Sequence, residues 1–170
     1  HMADGYARAC GKPGVVLVTS GPGATNTVTG LLTAQMDSVP IIVICGQQIT
    51  PMLGKDAFQE ADVFGITAPT VKHSYLVKNG NHIPRIVKES FHIATTGRPG
   101  AVVIDMPKDI SSGPCTTSFE QAEMDLPGYQ PNIDYDLSQI NQMIEYLQQA
   151  KQPLLLIGHG AIIANASAEV

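Results

Sequence analysis

Two patterns of apolar residues alternate along this chain. Short continuous apolar runs occur at residues 14–19, 40–45, 101–105 and 153–157, and a weaker one occurs at 73–77. Such runs predict strands that are covered on both faces, as in parallel sheets. The segments between them carry apolar residues at a spacing of three or four, which predicts helices.

The predicted helices lie between the strands, at residues 24–37, 57–65, 83–96 and 136–150. Strands that alternate with helices at this spacing pair in parallel through right-handed crossovers. We therefore predict an α/β fold, with an open parallel sheet and helices on both of its faces. Asp136 is placed to cap the last of these helices.

The periodic pattern is lost between residues 110 and 135, where Pro, Gly, Ser and acidic residues predominate, and this predicts a linker. We predict an incomplete domain over residues 1–113, a linker over 114–135 and the beginning of a second α/β domain over 136–170. The chain starts within a helical pattern and stops after a strand–turn–helix pattern. We therefore expect it to be a piece of a longer protein.

The composition narrows the class of protein. Hydrophobic residues make up 44% of the chain and charged residues 15%, which favours a globular protein with an aliphatic core. The formal net charge is −5 and the basic residues are scattered, so we expect no nucleic-acid interface. No apolar run approaches the length of a membrane-spanning helix. The cysteines lack a metal-binding spacing, which indicates reduced thiols.

The first predicted strand runs into the turn Ser20-Gly21-Pro22-Gly23, which leads into a helix. Ligands of open α/β sheets bind beyond the carboxyl ends of the strands, and this turn lies at such an end. Two interpretations are open: the glycines let a ligand approach the backbone, or they only provide the torsion angles of a tight turn. The turn is neither a P-loop nor a GxGxxG motif, so phosphate binding is not the first interpretation.

A long loop over residues 46–60 follows the second strand at the same edge, where binding residues concentrate. The amides of Gln47 and Gln59 are able to bind a heterocycle, and Phe58 is able to pack on a ring. A loop held together by its own side chains is the alternative. Lys108 follows a later strand and is placed to attract a carboxylate, with a solvated surface lysine as the alternative.

The remaining motifs give less support for a chemistry. The histidines at positions 73, 82, 92 and 159 have no carboxylate or cysteine at a ligand spacing, so no metal site is predicted. The GxSxG pattern of serine hydrolases is absent. The sequence GHGA at residues 158–161 is a weak dinucleotide-binding pattern, because its third glycine is missing.

Several segments, taken in order, resemble the large catalytic subunits of the acetohydroxyacid synthase (acetolactate synthase) family, which uses thiamine diphosphate. They are ADGYARA, VLVTSGPGATN, MDSVP, GQ, DAFQE, VKHSYLV, TGRPGAVVIDMPKDI and KQPLLLIGHGAI. Each segment is weak alone, but their order and spacing are specific. They span nearly the whole chain apart from the linker.

The resemblance implies that the first domain is the pyrimidine-binding domain of a thiamine diphosphate enzyme, and that the second domain helps to hold FAD in a structural role. The diphosphate and Mg²⁺ would bind to a third domain beyond Val170. The cofactor would lie between two subunits, so a homodimer or homotetramer is implied, to which a small regulatory subunit can bind. We expect a cytoplasmic enzyme of the bacterial type.

By position, the resemblance implies that Pro22, Gly23 and Asn26 flank the aminopyrimidine of the cofactor. It also implies that Gln59 approaches the cofactor as a catalytic residue.

The resemblance further implies that Phe58 and Lys108 line the substrate channel and that Arg98, in TGRPG, contacts FAD. Enzymes of this family decarboxylate pyruvate on thiamine diphosphate and condense the two-carbon unit with pyruvate or 2-oxobutyrate, in branched-chain amino acid biosynthesis. Their catalytic Glu lies in an HExxA motif, which we expect just upstream of His1 and which this chain lacks. Because that carboxylate positions a proton transfer, we predict that the chain alone is inactive.

Two alternatives remain open on the sequence. One is another thiamine diphosphate carboligase or decarboxylase, although GKDAFQE followed by VKHSYLV favours the biosynthetic synthase. The other is a noncatalytic binding module with the same fold.

Overall fold

The computed structural model describes residues 1–131 and 134–170 of the chain. The chain divides into two compact units, His1–Asn132 and Ile133–Val170. The first unit contains a sheet with its covering helices, and the second contains two helices.

Four parallel strands form the sheet of the first unit, in the order β1-β2-β4-β3. They are β1 (Gly14–Val18), β2 (Ile41–Gln47), β3 (His73–Leu76) and β4 (Ala101–Pro107). The parallel sheet confirms the predicted α/β fold. The two central strands extend past their predicted ends because they stay paired as far as Gln47 and Pro107.

Helices connect the strands of the first unit. They are α1 (Met2–Cys10), α2 (Pro22–Thr25), α3 (Val28–Met36), α4 (Val63–Thr67), α5 (Ile83–Thr95) and α6 (Lys108–Ser111). Single 3₁₀ turns lie at Thr50–Met52, Ala68–Thr70 and Gly80–His82.

Alternate residues of the central strands belong to two separate cores, because successive side chains of a strand point to opposite faces. Val43 and Val103 lie in a core with residues of α1, α3 and α4. Ile42 and Val102 lie in a second core with residues of α5. Helices therefore cover both faces of the sheet, as predicted.

The helix predicted over residues 24–37 is divided into α2 and α3. The backbone N–H of Thr27 donates to the carbonyl of Ala24 at 3.0 Å, and the Thr27 hydroxyl donates to the same carbonyl at 2.6 Å. These contacts tighten the chain between the two helices, where a regular helix would bond to the residue four positions back.

The helix predicted over residues 57–65 starts only at Val63, so this prediction was wrong over residues 57–62. Gln59 has a φ of 56°, in the left-handed region, which a continuous right-handed helix excludes. Asp62 then caps α4, since its Oδ1 accepts a hydrogen bond from the backbone N–H of Gly65 at 2.9 Å.

The aperiodic segment after α6 packs on α5. The backbone N–H of Asp125 donates to Oε1 of Glu89 at 2.8 Å, and Nζ of Lys88 donates to the carbonyl of Ala122 at 2.7 Å. Leu126 and Tyr129 pack against the core under α5. Its composition predicts a linker, but in the structure this segment covers one side of the first unit.

The second unit consists of α7 (Leu137–Gln149) and α8 (His159–Ile163). Oδ1 of Asp136 accepts hydrogen bonds from the backbone N–H groups of Ser138 and Gln139, which confirms the predicted cap. The strand predicted at residues 153–157 is not formed, because no strand within the described part of this unit pairs with it. The domain boundaries at residues 113 and 135 stay a prediction.

Candidate functional site

The carboxyl ends of the parallel strands lie at one edge of the sheet, where ligands of open α/β sheets bind. We define the carboxyl edge as the turn at residues 20–26 after β1, the loop at residues 48–62 after β2, and α6 after β4.

The turn after β1 exposes some residues and buries others. Gly21 has a φ of 57°, which favours glycine, and Pro22 opens α2, where its missing N–H removes no helical hydrogen bond. Ser20 is buried and Gly23 is half-buried, whereas the side chains of Pro22 and Asn26 are exposed.

Both glycines of the turn pack against the chain itself. A Cβ on Gly21 would lie 2.7 Å from the carbonyl oxygen of Gln59, and a Cβ on Gly23 would lie 2.8 Å from Cγ2 of Thr19. Real side chains do not approach this closely, so internal packing requires the small residues at both positions. The side of the turn on which Pro22 is exposed remains open to a ligand.

The loop after β2 is held together by its own side chains. Glu60 accepts hydrogen bonds from the backbone N–H groups of Ala57, at 3.0 Å, and Gly54. These backbone hydrogen bonds lower the pKa of Glu60 below its ordinary value, and the bond from Ala57 contributes most. Nε2 of Gln48 donates to the carbonyl of Phe58 at 2.6 Å, which closes the loop across its base.

A carboxylate on α6 ties the same loop to the end of β4. Asp109 accepts hydrogen bonds from the backbone N–H of Thr50 at 3.0 Å and from its hydroxyl at 2.6 Å. The hydroxyl, as the larger cause, lowers the pKa of Asp109. The loop therefore has a fixed attachment next to Lys108, which opens α6 with an exposed side chain.

Gln47 lies under the loop and is buried. Its Nε2 donates to Oδ2 of Asp105 at 3.1 Å and to the carbonyl of Ala61 at 2.9 Å, and its Oε1 accepts from the backbone N–H of Gln48 at 2.9 Å. An amide nitrogen has two hydrogens to donate, and both are used. Gln47 is therefore bonded within the chain, which favours the alternative interpretation of a loop held together by its own side chains.

Asp105, near the end of β4, is a buried carboxylate that the sequence analysis did not single out. Its side chain is 3% exposed, and Oδ1 has no hydrogen-bond partner within residues 1–131 and 134–170. Burial raises the pKa of Asp105 to about 6; Gln47 opposes this shift and the nearby Asp62 adds to it. The pKa of the adjacent Cys45 rises to about 12, mainly through burial. In the sequence, the signal that could have identified Asp105 is a single acidic residue at the end of the apolar run AVVID.

The structure brings several of the predicted site residues together at the carboxyl edge. Gln59 contacts Gly21 in the turn that contains Pro22 and Gly23. Phe58 is next to Gln59 and is 83% exposed. Asn26 is at the end of α2, at the same edge of the sheet.

Arg98 lies elsewhere, because it precedes β4 and is therefore at the amino edge of the sheet. Its Nε donates to Oγ of Ser38 at 2.8 Å, and its Nη2 donates to the carbonyl of Met36 at 2.7 Å. The last carbonyl groups of a helix have no hydrogen-bond partner within the helix, and Arg98 supplies one for the carbonyl of Met36 at the end of α3.

The exposed side of the turn has the chemistry to hold a flat heteroaromatic ring. Pro22 offers apolar surface, and Asn26 and Gln59 carry amides, which both donate and accept hydrogen bonds. Among the described residues, no group of three or more His, Cys, Asp or Glu side chains is arranged to hold a metal ion. The helices within residues 1–131 and 134–170 are all too short or too polar to cross a membrane.

Comparison with known proteins identifies relatives. Residues 1–66 match the family model "Thiamine pyrophosphate enzyme, N-terminal TPP binding domain", where thiamine pyrophosphate is another name for thiamine diphosphate. The chain is 53% identical to an acetolactate synthase of Arthrospira platensis over 171 residues and 50% identical to the acetolactate synthase large subunit of Haemophilus influenzae over 171 residues. It is 49% identical to the isozyme 3 large subunit of Escherichia coli over 166 residues.

These matches cover all of this chain in the first two relatives and 97% of it in the third. The chain spans 30%, 30% and 29% of the lengths of the three relatives. The family match and the identity along the whole chain agree with each other and confirm the resemblance found in the sequence. Residues 1–66 therefore match the N-terminal domain of thiamine pyrophosphate enzymes, and the chain as a whole is similar to the N-terminal part of acetolactate synthase large subunits.

Proposed function

We propose that this chain is the part of an acetolactate synthase that binds the aminopyrimidine of thiamine diphosphate, at the carboxyl edge. The observation that carries the proposal is the contact of Gly21 with Gln59, which joins the turn to the loop while Pro22 and Asn26 stay exposed. The identity to acetolactate synthases along the whole chain supports this choice of enzyme.

In this proposal Pro22 and Gly23 flank the ring, and the amides of Asn26 and Gln59 orient its polar atoms. Thiamine diphosphate, when bound, supplies the electron sink for decarboxylation of a 2-oxo acid. The residues of the chain hold and orient the ring beside the loop, which is itself fixed to the sheet.

Phe58 and Lys108 line the substrate channel in this proposal. Phe58 is 83% exposed and Lys108 is exposed, so both side chains are free to contact a small 2-oxo acid. The ammonium of Lys108 attracts the carboxylate of pyruvate. The proposed contact of Arg98 with FAD lies away from the carboxyl edge, because Arg98 precedes β4.

The whole enzyme, in this proposal, decarboxylates pyruvate and joins the two-carbon unit to pyruvate or 2-oxobutyrate in branched-chain amino acid biosynthesis. It uses Mg²⁺ and FAD in addition to thiamine diphosphate. It forms a homodimer or homotetramer, and a small regulatory subunit binds to it, a partner suggested by the name "large subunit" of two relatives. The 170 residues alone, which lack an HExxA motif, do not catalyse the reaction.

The test is to measure thiamine diphosphate affinity by calorimetry and acetolactate formation from pyruvate, using the intact protein. The variants Asn26→Ala and Gln59→Ala should each weaken thiamine diphosphate binding by about tenfold, as expected for the loss of one hydrogen bond. Lys108→Ala should raise KM for pyruvate and leave the thiamine diphosphate affinity unchanged.

Lys55→Ala is the matched control for Lys108→Ala, since Lys55 is also an exposed lysine of the carboxyl edge. It should change neither quantity. The proposal is wrong if the unchanged protein does not bind thiamine diphosphate, or if Asn26→Ala and Gln59→Ala bind it as tightly as the unchanged protein does.

A further inference from the structure

We propose that Asp105 is a positioning residue for the carboxyl edge: through Gln47 it holds the main chain at Ala61, and so fixes Gln59 against Gly21. The consequence for cofactor binding rests on the proposed function, because Gln59 is the residue expected to approach thiamine diphosphate. The positioning itself is a property of the chain and is measured independently.

A short series of contacts connects Asp105 to Gln59. Nε2 of Gln47 donates to Oδ2 of Asp105 at 3.1 Å and to the carbonyl of Ala61 at 2.9 Å. Ala61 is two residues from Gln59, and the peptide units between them are planar and nearly rigid. Because the two are so close in the chain, a fixed Ala61 carbonyl restricts the positions open to the Gln59 carbonyl, which packs on Gly21.

The backbone of Gln59 needs such support. Its φ of 56° is a conformation that residues other than glycine seldom adopt. Conformations of this kind persist only where neighbouring structure holds them. Gly21 holds Gln59 on one side, and the link from Ala61 through Gln47 to Asp105 holds it on the other.

Stability of the core does not account for a carboxylate at position 105. The side chain is 3% exposed and its Oδ1 has no partner in the part of the chain that the structure describes. A buried oxygen without a hydrogen bond lowers stability. Oδ2, in contrast, accepts the hydrogen bond that orients the Gln47 amide.

Glu89 shows what a fully satisfied buried carboxylate in the same unit looks like. It is 1% exposed, and both of its oxygens are bonded: Oε1 accepts from Nη1 of Arg85 and from the backbone N–H of Asp125, and Oε2 accepts from the hydroxyl of Tyr75. Glu89 borders the core under α5. Cys45 lies in the core on the opposite face of the sheet, together with Ala61, which is bonded to Gln47. Glu89 is therefore a matched control for Asp105.

The experiment is hydrogen exchange of the intact protein, read at the amides of Glu60 and Val63, which donate to the carbonyls of Ala57 at 2.9 Å and Ala61 at 2.8 Å. Asp105→Leu and Gln47→Leu should each accelerate this exchange by about tenfold or more, because both remove the link to Ala61. Asp105→Asn should stay within about threefold of the unchanged protein, because the Asn carbonyl oxygen accepts the same hydrogen bond. Glu89→Gln should change exchange at these amides by less than about twofold once its loss in the global free energy of unfolding, measured with urea, has been subtracted.

Calorimetric titration with thiamine diphosphate is the second readout. Asp105→Leu should weaken binding and Asp105→Asn should restore it. Should Asp105→Leu fail to fold, Gln47→Leu and Asp105→Asn decide the outcome by the same exchange measurement.

The inference is overturned if Gln47→Leu leaves exchange at Glu60 and Val63 unchanged, or if Asp105→Asn exchanges as fast as Gln47→Leu. It is also overturned if Glu89→Gln, after the same subtraction, accelerates these amides as much as Gln47→Leu does. A failure of the proposed function is seen separately, since thiamine diphosphate then does not bind the unchanged protein. The exchange rates still decide whether Asp105 positions the loop.

Discussion

The carbonyl oxygen of Gln59 lies so close to Gly21 that a Cβ on Gly21 would be 2.7 Å from it. This contact joins the turn after β1 to the loop after β2. The geometry of the carboxyl edge is therefore a property of tertiary packing, and the predictions below test it together with the groups that support it.

Replacing Gly21 by alanine should displace Gln59 and strain the turn at a φ of 57°. We expect the free energy of unfolding to fall by about 2–4 kcal/mol, from the left-handed backbone and the clash together. Urea unfolding measures this loss. Gly54→Ala is the control, because Gly54 has a φ of 75° and open space where a Cβ would lie, so it should lose only about 1–2 kcal/mol. Equal losses would contradict the importance of the contact with Gln59.

Glu89→Gln should destabilise the first unit, because a buried carboxylate bonded to Arg85, Tyr75 and the main chain of Asp125 is replaced by a neutral amide that mismatches these donors. Hydrogen bonds to charged groups suggest a loss of about 2 kcal/mol in the free energy of unfolding. Glu120→Gln, at an exposed position, should leave the urea midpoint unchanged. A Glu89→Gln protein as stable as the unchanged one would show that this network contributes little.

Arg98→Ala separates two roles of one side chain. Loss of its hydrogen bonds to Ser38 and to the end of α3 should lower the free energy of unfolding by about 1 kcal/mol. If Arg98 also contacts FAD, FAD affinity should fall in the same variant of the intact protein. Arg8→Ala removes an exposed arginine with ion pairs to Asp4 and Asp37 and should leave FAD affinity unchanged. Unaltered FAD affinity in Arg98→Ala would limit this residue to capping α3.

Asp105 should make stability depend on pH in a defined direction. Burial raises its pKa from 3.8 to about 6, so between these values the folded chain binds more protons than the unfolded chain. The contribution of Asp105 to stability is therefore fully present below about pH 4 and is lost as the pH rises through about 6. The difference between the two pKa values corresponds to about 3 kcal/mol.

Urea unfolding of the unchanged protein and Asp105→Asn between pH 4 and pH 7 measures this effect. Asp105→Asn should gain stability relative to the unchanged protein as the pH rises, because its amide does not titrate. Among the described residues, the groups that face Asp105 are the amide of Gln47, the thiol of Cys45 and the carboxylate of Asp62. A stability difference that is independent of pH, or that changes in the opposite direction, would contradict the assignment.

The sequence predicted what depends on local pattern. The run at residues 101–105 was predicted as a strand because it is continuously apolar, and the cap by Asp136 was predicted because an acid stood just before a helical period. The local pattern did not indicate that Gln59 would take a left-handed conformation, and this ended the predicted helix over residues 57–65. Such conformations depend on distant neighbours, here Gly21.

Gln47 and Gln59 show the same limit within the candidate site. Both glutamines follow the apolar run at residues 40–45, and the pattern of residues alone gives no reason to assign them different roles. The structure directs Gln47 to Asp105, 58 positions further along the chain, and leaves Gln59 exposed. Hydrophobic periodicity does not indicate a hydrogen bond between residues so far apart in the chain. The one sequence feature that pointed to it is Asp105, an acidic residue at the end of an apolar run.

The division of the central strands between two cores has a thermodynamic consequence. Ile42 and Val43 are consecutive residues, yet each packs in a different core, and the same holds for Val102 and Val103. The helices on each face pack on side chains of the same central strands. If the helices on one face detached, these strands would be exposed and the core on the other face would lose support. The first unit should therefore melt in one cooperative transition, in which probes placed on the two faces of the sheet report the same midpoint.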